Sequence, residues 1–218
     1  MGPFSITGVI QAPPEPRVKG LILLSHGTAG SELGHSSLAE AFAQRGYLVA
    51  ALRHPGDNFQ DPSLRDGTGS VGARYFTQRP LQVSHVIDAL RQDPLGKDRV
   101  ASGSKGPRIG AVGRSAGGYT VLVLAGGEVD MAGLASHCTT HRADDSIFCQ
   151  LTRTATAGAA PIANAFAFAS ASASASAPAV QAVADPRVRA VVAMSPASLM
   201  FTPDSLARIT VPALPYRA

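Results

Sequence analysis

The 218 residues carry 45% hydrophobic and 16% charged side chains, a balance that fits one folded domain with a buried core and excludes a disordered chain. The formal net charge is +4, but the lysines and arginines are scattered, with no run of five and no interleaved aromatics, which argues against nucleic acid as a partner. No eighteen apolar residues run uninterrupted, and "MGPFSITGVIQAPPEPRVKG" has no basic stretch leading into an apolar one. The expectation is therefore a chain without a membrane span or export signal, cytoplasmic as written, and periplasmic or secreted if its N-terminus is incomplete.

The first apolar run, "GLILLSH" (20–26), is short, is followed by glycine, and suits a strand buried on both faces of a parallel sheet. A helix should follow: Ser37 and Glu40 stand in capping-box spacing, and Leu38, Ala41 and Phe42 share one face before Gly46. "YLVAALRH" (47–54) reads as the next strand, stopped by Pro55-Gly56. Residues 57–78 are polar and rich in Gly, Asp and Ser, which predicts a surface loop near a functional face. Pro80 is expected near a helix start, and Val83, Val86, Ile87 and Leu90 then repeat at helical spacing as a stripe facing a sheet.

Residues 94–107 read as another loop, and "RIGAVG" as a strand running into Gly113-Arg114-Ser115-Ala116-Gly117. The apolar helix "GGYTVLVLAGG" follows and ends at the Gly126-Gly127 pair. Cys138 and Cys149 lie in "SHCTTHRADDSIFC", where two free thiols and a loop-closing disulfide are both compatible with the spacing. Zinc on Cys138, His141 and Cys149 lacks the paired spacing of structural sites. Residues 152–184 are an Ala/Ser-rich low-complexity insertion, too poor in bulky side chains to fix one conformation. "RVRAVVAMSP" (187–196) restores the strand signal, and "ITVPALPYRA" (209–218) begins another strand.

Strands and helices thus alternate from about residue 20, which predicts a single α/β domain over 1–218. Its sheet should be mostly parallel with helices on both faces, and ligands should bind at the carboxyl ends of the strands. The stretch "SHG" and Ser115 both fall at such ends. A Gly-x-Ser-x-Gly match by itself is cheap, but here a strand precedes it and an apolar helix follows. The flanking glycines are needed because a sharp strand-to-helix turn brings the two backbones together. Such a turn lifts the Ser115 hydroxyl clear of the sheet and sets it at a helix N-terminus, where the Ala116 amide can face a developing oxyanion. The loop "SHGTAGS" (25–31) offers a second donor, the amide of Thr28.

Taken in order, "LILLSHGTAGS", "GYLVAALRHPGDN", "RPLQVSHVIDAL", "DPLG", "RIGAVGRSAGGYT" and "DPRVRAVVAMSPA" resemble the α/β-hydrolase superfamily. Within it they look like the predicted dienelactone hydrolases related to platelet-activating-factor acetylhydrolase. The resemblance implies an α/β-hydrolase fold and hydrolysis of carboxyl esters, lactones or thioesters through an acyl-serine. It implies Ser115 as nucleophile, Thr28 and Ala116 as oxyanion-hole amides, a small-molecule ester or lactone as partner, and no metal or organic cofactor. The segment from Cys138 to Cys149 looks like a two-cysteine insert of some relatives, often exported ones, which supports the disulfide alternative. Arg114 stands where relatives commonly have His.

In this superfamily the acid and then the base follow the serine after late strands. "VPALPYRA" resembles the run leading to the acid, so the expectation is a chain whose last strands and final helix are missing, with the triad incomplete. The six histidines, His26, His35, His54, His85, His137 and His141, all stand away from the expected base position. His26 and His54 are expected to shape the loops around the site rather than move a proton, and Asp185 and Asp204 to be solvated loop aspartates. The competing expectation is a non-catalytic binding protein of the same fold.

Overall fold

The computed structural model describes residues 10–11, 17–65, 71, 73–94, 96–97, 99–104, 106–145, 148–149 and 184–217. Its strands are β1 (Ile10–Gln11), β2 (Leu21–Ser25), β3 (Leu48–Leu52), β4 (Ser102–Gly103), β5 (Gly106–Pro107), β6 (Ile109–Arg114), β7 (Val188–Met194) and β8 (Ala213–Tyr216). Its helices are α1 (Ser36–Gln44), α2 (Ala73–Gln92), α3 (Ala116–Leu124), α4 (Met131–Thr140) and a short α5 (Pro203–Ala207). One six-stranded sheet runs β1-β3-β2-β6-β7-β8, parallel throughout except for β1, which pairs antiparallel with β3. β4 and β5 form a separate small hairpin.

The two faces follow directly from strand alternation. Leu21, Leu23, Leu48, Ala50, Leu52, Ile109 and Ala111 point into the larger core, which is shared with α2 and α3. Leu24, Val49, Ala51 and Val112 point the other way, against Leu38, Ala39 and Phe42 of α1. Both faces are therefore covered, which is why these strands read as continuous apolar runs. α3 lies deepest: all nine of its residues are buried. Each of its large aliphatic side chains contributes about 1.5–3 kcal/mol by leaving water. A mostly parallel sheet between helices, with a strand, sharp turn and helix at residues 109–124, is the architecture expected from the alternation of strands and helices in the sequence.

β7 carries a local irregularity. Ile109 pairs with Val188 but Gly110 pairs with Ala190, so Arg189 is an extra residue on the β7 side. The skipped residue resets the alternation, and Val188, Val191 and Ala193 all reach the larger core.

The expectations about α1 and α2 need correction. α2 begins at Ala73, inside the expected 57–78 loop, and Pro80 lies within the helix rather than near its start. Proline removes the N–H that would bond the carbonyl four residues earlier. That carbonyl, on Phe76, instead accepts the Tyr119 hydroxyl of α3 at 2.7 Å, so the loss is repaired by tertiary contact. The Ser37–Glu40 capping box does not form: the N-cap position is His35, two residues before Ser37, and no side chain caps the helix. α4 and α5 are capped by side chains, with Asp130 accepting the Gly133 amide at 2.8 Å and Thr202 the Ser205 amide at 3.1 Å. The 94–107 segment contains the β4–β5 hairpin, and the last strand begins at Ala213, after α5, rather than at 209. All of the 152–184 insertion except Ala184 lies outside the described residues.

Candidate active site

Ser115 sits between the last residue of β6 and the first of α3 with φ 55° and ψ −116°, a conformation costly for any side-chain-bearing residue. Its neighbours make that turn possible. A Cβ on Gly113 would overlap the Gly117 carbonyl, and one on Gly117 would overlap the carbonyl of Ser25 at the end of β2. Ser115 is also held from β7: its amide donates to the Met194 carbonyl at 2.9 Å, and its carbonyl accepts the Ala197 amide at 3.2 Å. The residue is half-buried and lines a cavity of about 260 Å³ together with Thr28 and Ala116. The structure thus brings together the three residues singled out from the sequence. The Ala116 amide belongs to the first turn of α3, where N–H groups have no partner within the helix.

Beneath the loop after β2 lies a buried polar cluster whose chemistry is fully determined by its hydrogen bonds. The Asp57 carboxylate accepts the Ala29 amide at 3.0 Å and the Tyr75 hydroxyl at 2.6 Å. It also pairs with the Arg79 guanidinium, neither side chain being exposed, and with Arg65 at 3.3 Å. Because the Tyr75 proton points to Asp57, the Tyr75 oxygen accepts from the Thr28 hydroxyl at 3.1 Å. Arg79 further donates to the His26 carbonyl, to Ser25 Oγ at 3.2 Å and to Thr120 Oγ1 at 3.2 Å. One guanidinium therefore ties β2, the loop that carries Thr28, α2 and α3 into one unit.

The two histidines beside it are fixed as neutral donors and acceptors. His26 Nε2 accepts the His54 amide at 3.1 Å, so its proton is on Nδ1 and donates to the Gly27 carbonyl at 2.7 Å. Burial, aided by the nearby Arg79 charge, pulls its pKa down to about 4. His54 donates from Nδ1 to Gln82 Oε1 at 2.8 Å and accepts the Ser25 hydroxyl on Nε2 at 2.8 Å. Burial holds it neutral as well. With both nitrogens occupied on each ring, neither His26 nor His54 can receive a proton from Ser115 without breaking the fold around it.

The remaining histidines stand elsewhere. His35 occupies the N-cap position of α1 without a side-chain capping bond, its pKa lowered by burial and then by Arg114; His85 is exposed on α2; His141 is exposed beside Asp144. His137 meets Asp145 at 3.1 Å. Among the described residues no imidazole lines the cavity. Asp185 corrects its expectation: it is buried rather than solvated. Burial pushes its pKa up, but hydrogen bonds from Arg187 win and hold the carboxyl below the usual range. It secures the start of β7, and Asp204 is exposed on α5.

Cys138 and Cys149 are joined in a disulfide, which decides between the two readings of that segment and removes the proposed zinc set of Cys138, His141 and Cys149. His137, Asp145 and Cys149 lie within 4.8 Å of one another, but the bonded sulfur offers no thiolate. The sequence reading missed Asp57, Tyr75, Arg79 and Gln82. They lie far apart in the chain from the 25–31 loop they support, and no local spacing marks them.

No family model matches the chain. Among solved structures, it is similar to Est1E from Butyrivibrio proteoclasticus with bound ferulic acid, at 13% identity and TM-score 0.47 over 89% of this chain and 50% of that one. It is similar to a ferulic acid esterase from Streptomyces cinnamoneus, at 20% identity and TM-score 0.47 over 93% and 43%. It is also similar to a dienelactone hydrolase from Anabaena variabilis, at 20% identity and TM-score 0.42 over 54% and 50%. The chain spans half or less of the length of each of these structures. Among the described residues no helix is long and apolar enough to cross a membrane.

Proposed function

We propose that the chain is a serine-dependent hydrolase of carboxyl esters, lactones or thioesters, with Ser115 as the nucleophile and the Thr28 and Ala116 amides as oxyanion donors. The observation that carries this reading is the positive-φ turn of Ser115 on the wall of a cavity it shares with Thr28 and Ala116. In the reaction, Ser115 Oγ bonds to the substrate carbonyl carbon while the carbonyl oxygen takes the charge. The tetrahedral species then expels the alcohol, thiol or ring oxygen, leaving an acyl-serine that water cleaves to the acid.

The Ser115 proton must leave during attack, and the buried imidazoles nearest the loop are committed to other partners. The acid and base of a triad do not come from the described residues, so turnover is expected to be impaired. In serine proteases, what survives loss of a triad member is on the order of 10³–10⁴ over water. A second reading, a non-catalytic binding protein of this fold, is favoured by the lack of an imidazole among the described residues that line the cavity.

The test uses a fluorophosphonate probe and a short-chain p-nitrophenyl ester on the native chain and on Ser115→Ala. The expected result is probe labelling and slow turnover, both lost in the variant. Turnover that survives the substitution would reject Ser115, and absence of labelling would favour the binding reading.

A further inference from the structure

The cavity beside Ser115 is walled by carbon, notably Val71, Phe76, Phe148 and Met200, and Asp145 is the one charged side chain among its described lining residues. The tyrosine hydroxyls on its wall are already committed, Tyr75 to Asp57 and Tyr119 to the Phe76 carbonyl. Asp145 is held in place from several sides. Its Oδ2 accepts from His137 Nε2 at 3.1 Å, its Oδ1 accepts the Phe148 amide at 3.3 Å, and its own amide donates to the His141 carbonyl at 2.8 Å. The Cys138–Cys149 disulfide ties this segment to α4.

Among the described residues the side-chain partner of Asp145 is the His137 imidazole, which leaves the carboxylate charge uncancelled when the ring is neutral. His137 is stacked on His141 with ring centroids 5.0 Å apart, and His141 in turn faces Asp144 at 3.7 Å. A fixed carboxylate on an apolar wall, with Phe148 on the same wall, favours a positive ligand group through direct attraction and contact with the aromatic face. The same carboxylate repels an anion.

We propose that Asp145 is a specificity-determining residue that makes this cavity select substrates bearing an ammonium or similar cationic group over neutral ones, and that rejects anionic ones. This rests on the reading of the Ser115 cavity as the substrate site. It narrows the substrate class to esters or thioesters with a cationic group in the part that enters the cavity.

The experiment measures binding of three small probes of matched shape to the full chain by ligand-observed NMR, at low salt and about pH 8.5, where imidazoles are ordinarily neutral. The probes are choline, its neutral carbon isostere dimethylbutanol, and the carboxylate dimethylbutanoate. Choline is expected to bind at least about tenfold more tightly than the neutral isostere, and the carboxylate most weakly. Asp145→Asn should bring the three within about threefold, Asp145→Glu should retain the order, and added salt should shrink the spread in the native chain. Equal binding of choline and its isostere, an unchanged preference in Asp145→Asn, or no binding of any probe overturns the proposal. If Asp145→Asn does not fold, the native chain's salt dependence and the Asp145→Glu order decide. Fluorophosphonate labelling of Ser115 is scored separately. Labelling without charge preference removes the role of Asp145 alone, and charge preference without labelling removes the hydrolase reading alone.

Discussion

The Tyr75 hydroxyl donates to the Asp57 carboxylate at 2.6 Å, with both side chains shut away from solvent. That bond orients the Tyr75 oxygen toward Thr28, so a residue on α2 and another after β3 jointly set the loop that reaches the Ser115 cavity.

Tyr75→Phe should therefore act twice. It leaves Asp57 with Arg79, Arg65 and the Ala29 amide, so the loss of stability should be about 1–3 kcal/mol, the cost of an unpaired buried polar group. It also frees the Thr28 hydroxyl, and labelling of Ser115 by a fluorophosphonate should slow. Asp57→Ala strands the Arg79 charge and should cost about 3–5 kcal/mol in urea unfolding. Equal stability of the two variants would show that the ion pair contributes nothing beyond the hydroxyl.

Gly117→Ala should be among the most damaging single-methyl additions in the chain. The added carbon would overlap the Ser25 carbonyl, which is main chain of a central strand and cannot swing aside. The cost should exceed the ordinary 1–3 kcal/mol of overpacking, to roughly 3 kcal/mol or more. Thermal melting followed by circular dichroism reads it, with Gly106→Ala as a comparison in which the new carbon meets nothing within 4 Å. The positive φ of Gly106 strains that control as well, by about 1–3 kcal/mol, so the Gly117→Ala loss is expected to exceed a control that is itself destabilised.

These two sites mark what the sequence made legible. The elbow could be read because its glycines, its serine, the preceding apolar run and the following apolar helix are all consecutive. β2, β3 and β6 could be read because a strand buried on both faces is apolar at every position. The start of α2 could not, because Pro80 and the polar residues before it obey local rules that Tyr119 overrides from another helix. The partners of Ser25, His26 and His54, namely Asp57, Arg79 and Gln82, were not legible for a related reason. Their order exists only once the ends of β2 and β3 have met α2 and α3, and the acid, guanidinium and amide taken alone look like surface polar residues. His26 and His54 were assigned a shaping role from position, and their bonds supply the physical reason.

Stability should fall on mild acidification. An unfolded histidine takes up its proton near pH 6.5, whereas His26 in the fold resists until about pH 4 because protonation would charge a buried ring. Burial shifts His54 in the same direction. Between those values the unfolded chain binds more protons than the folded one, so this contribution is complete above about pH 6.5 and is lost as pH falls toward 4. Urea unfolding at about pH 7.5 and about pH 5 should differ by roughly 2 kcal/mol or more, and His26→Gln should flatten the slope. A level profile across that window would contradict the neutral assignment.

Reduction should loosen one end of the chain's cavity wall. Cys138 and Cys149 are eleven residues apart, and opening so short a loop should cost about 3 kcal/mol on a chain-entropy basis. The measurement is a pair of melts, with and without dithiothreitol, on protein produced in an oxidising compartment. Cys138→Ser/Cys149→Ser should reproduce the reduced melt. An unchanged melting point would mean that packing of α4 alone holds the segment.

The extra residue in β7 makes the number of residues at Arg189 decisive for the register of the strand. A substitution there leaves Val188 and Val191 on one side of the sheet, whereas deleting the residue would throw one of them into the opposite layer. The strand therefore tolerates spelling changes but not a lost letter, and variants of this chain that keep its core should hold the distance from Val188 to Val191 constant.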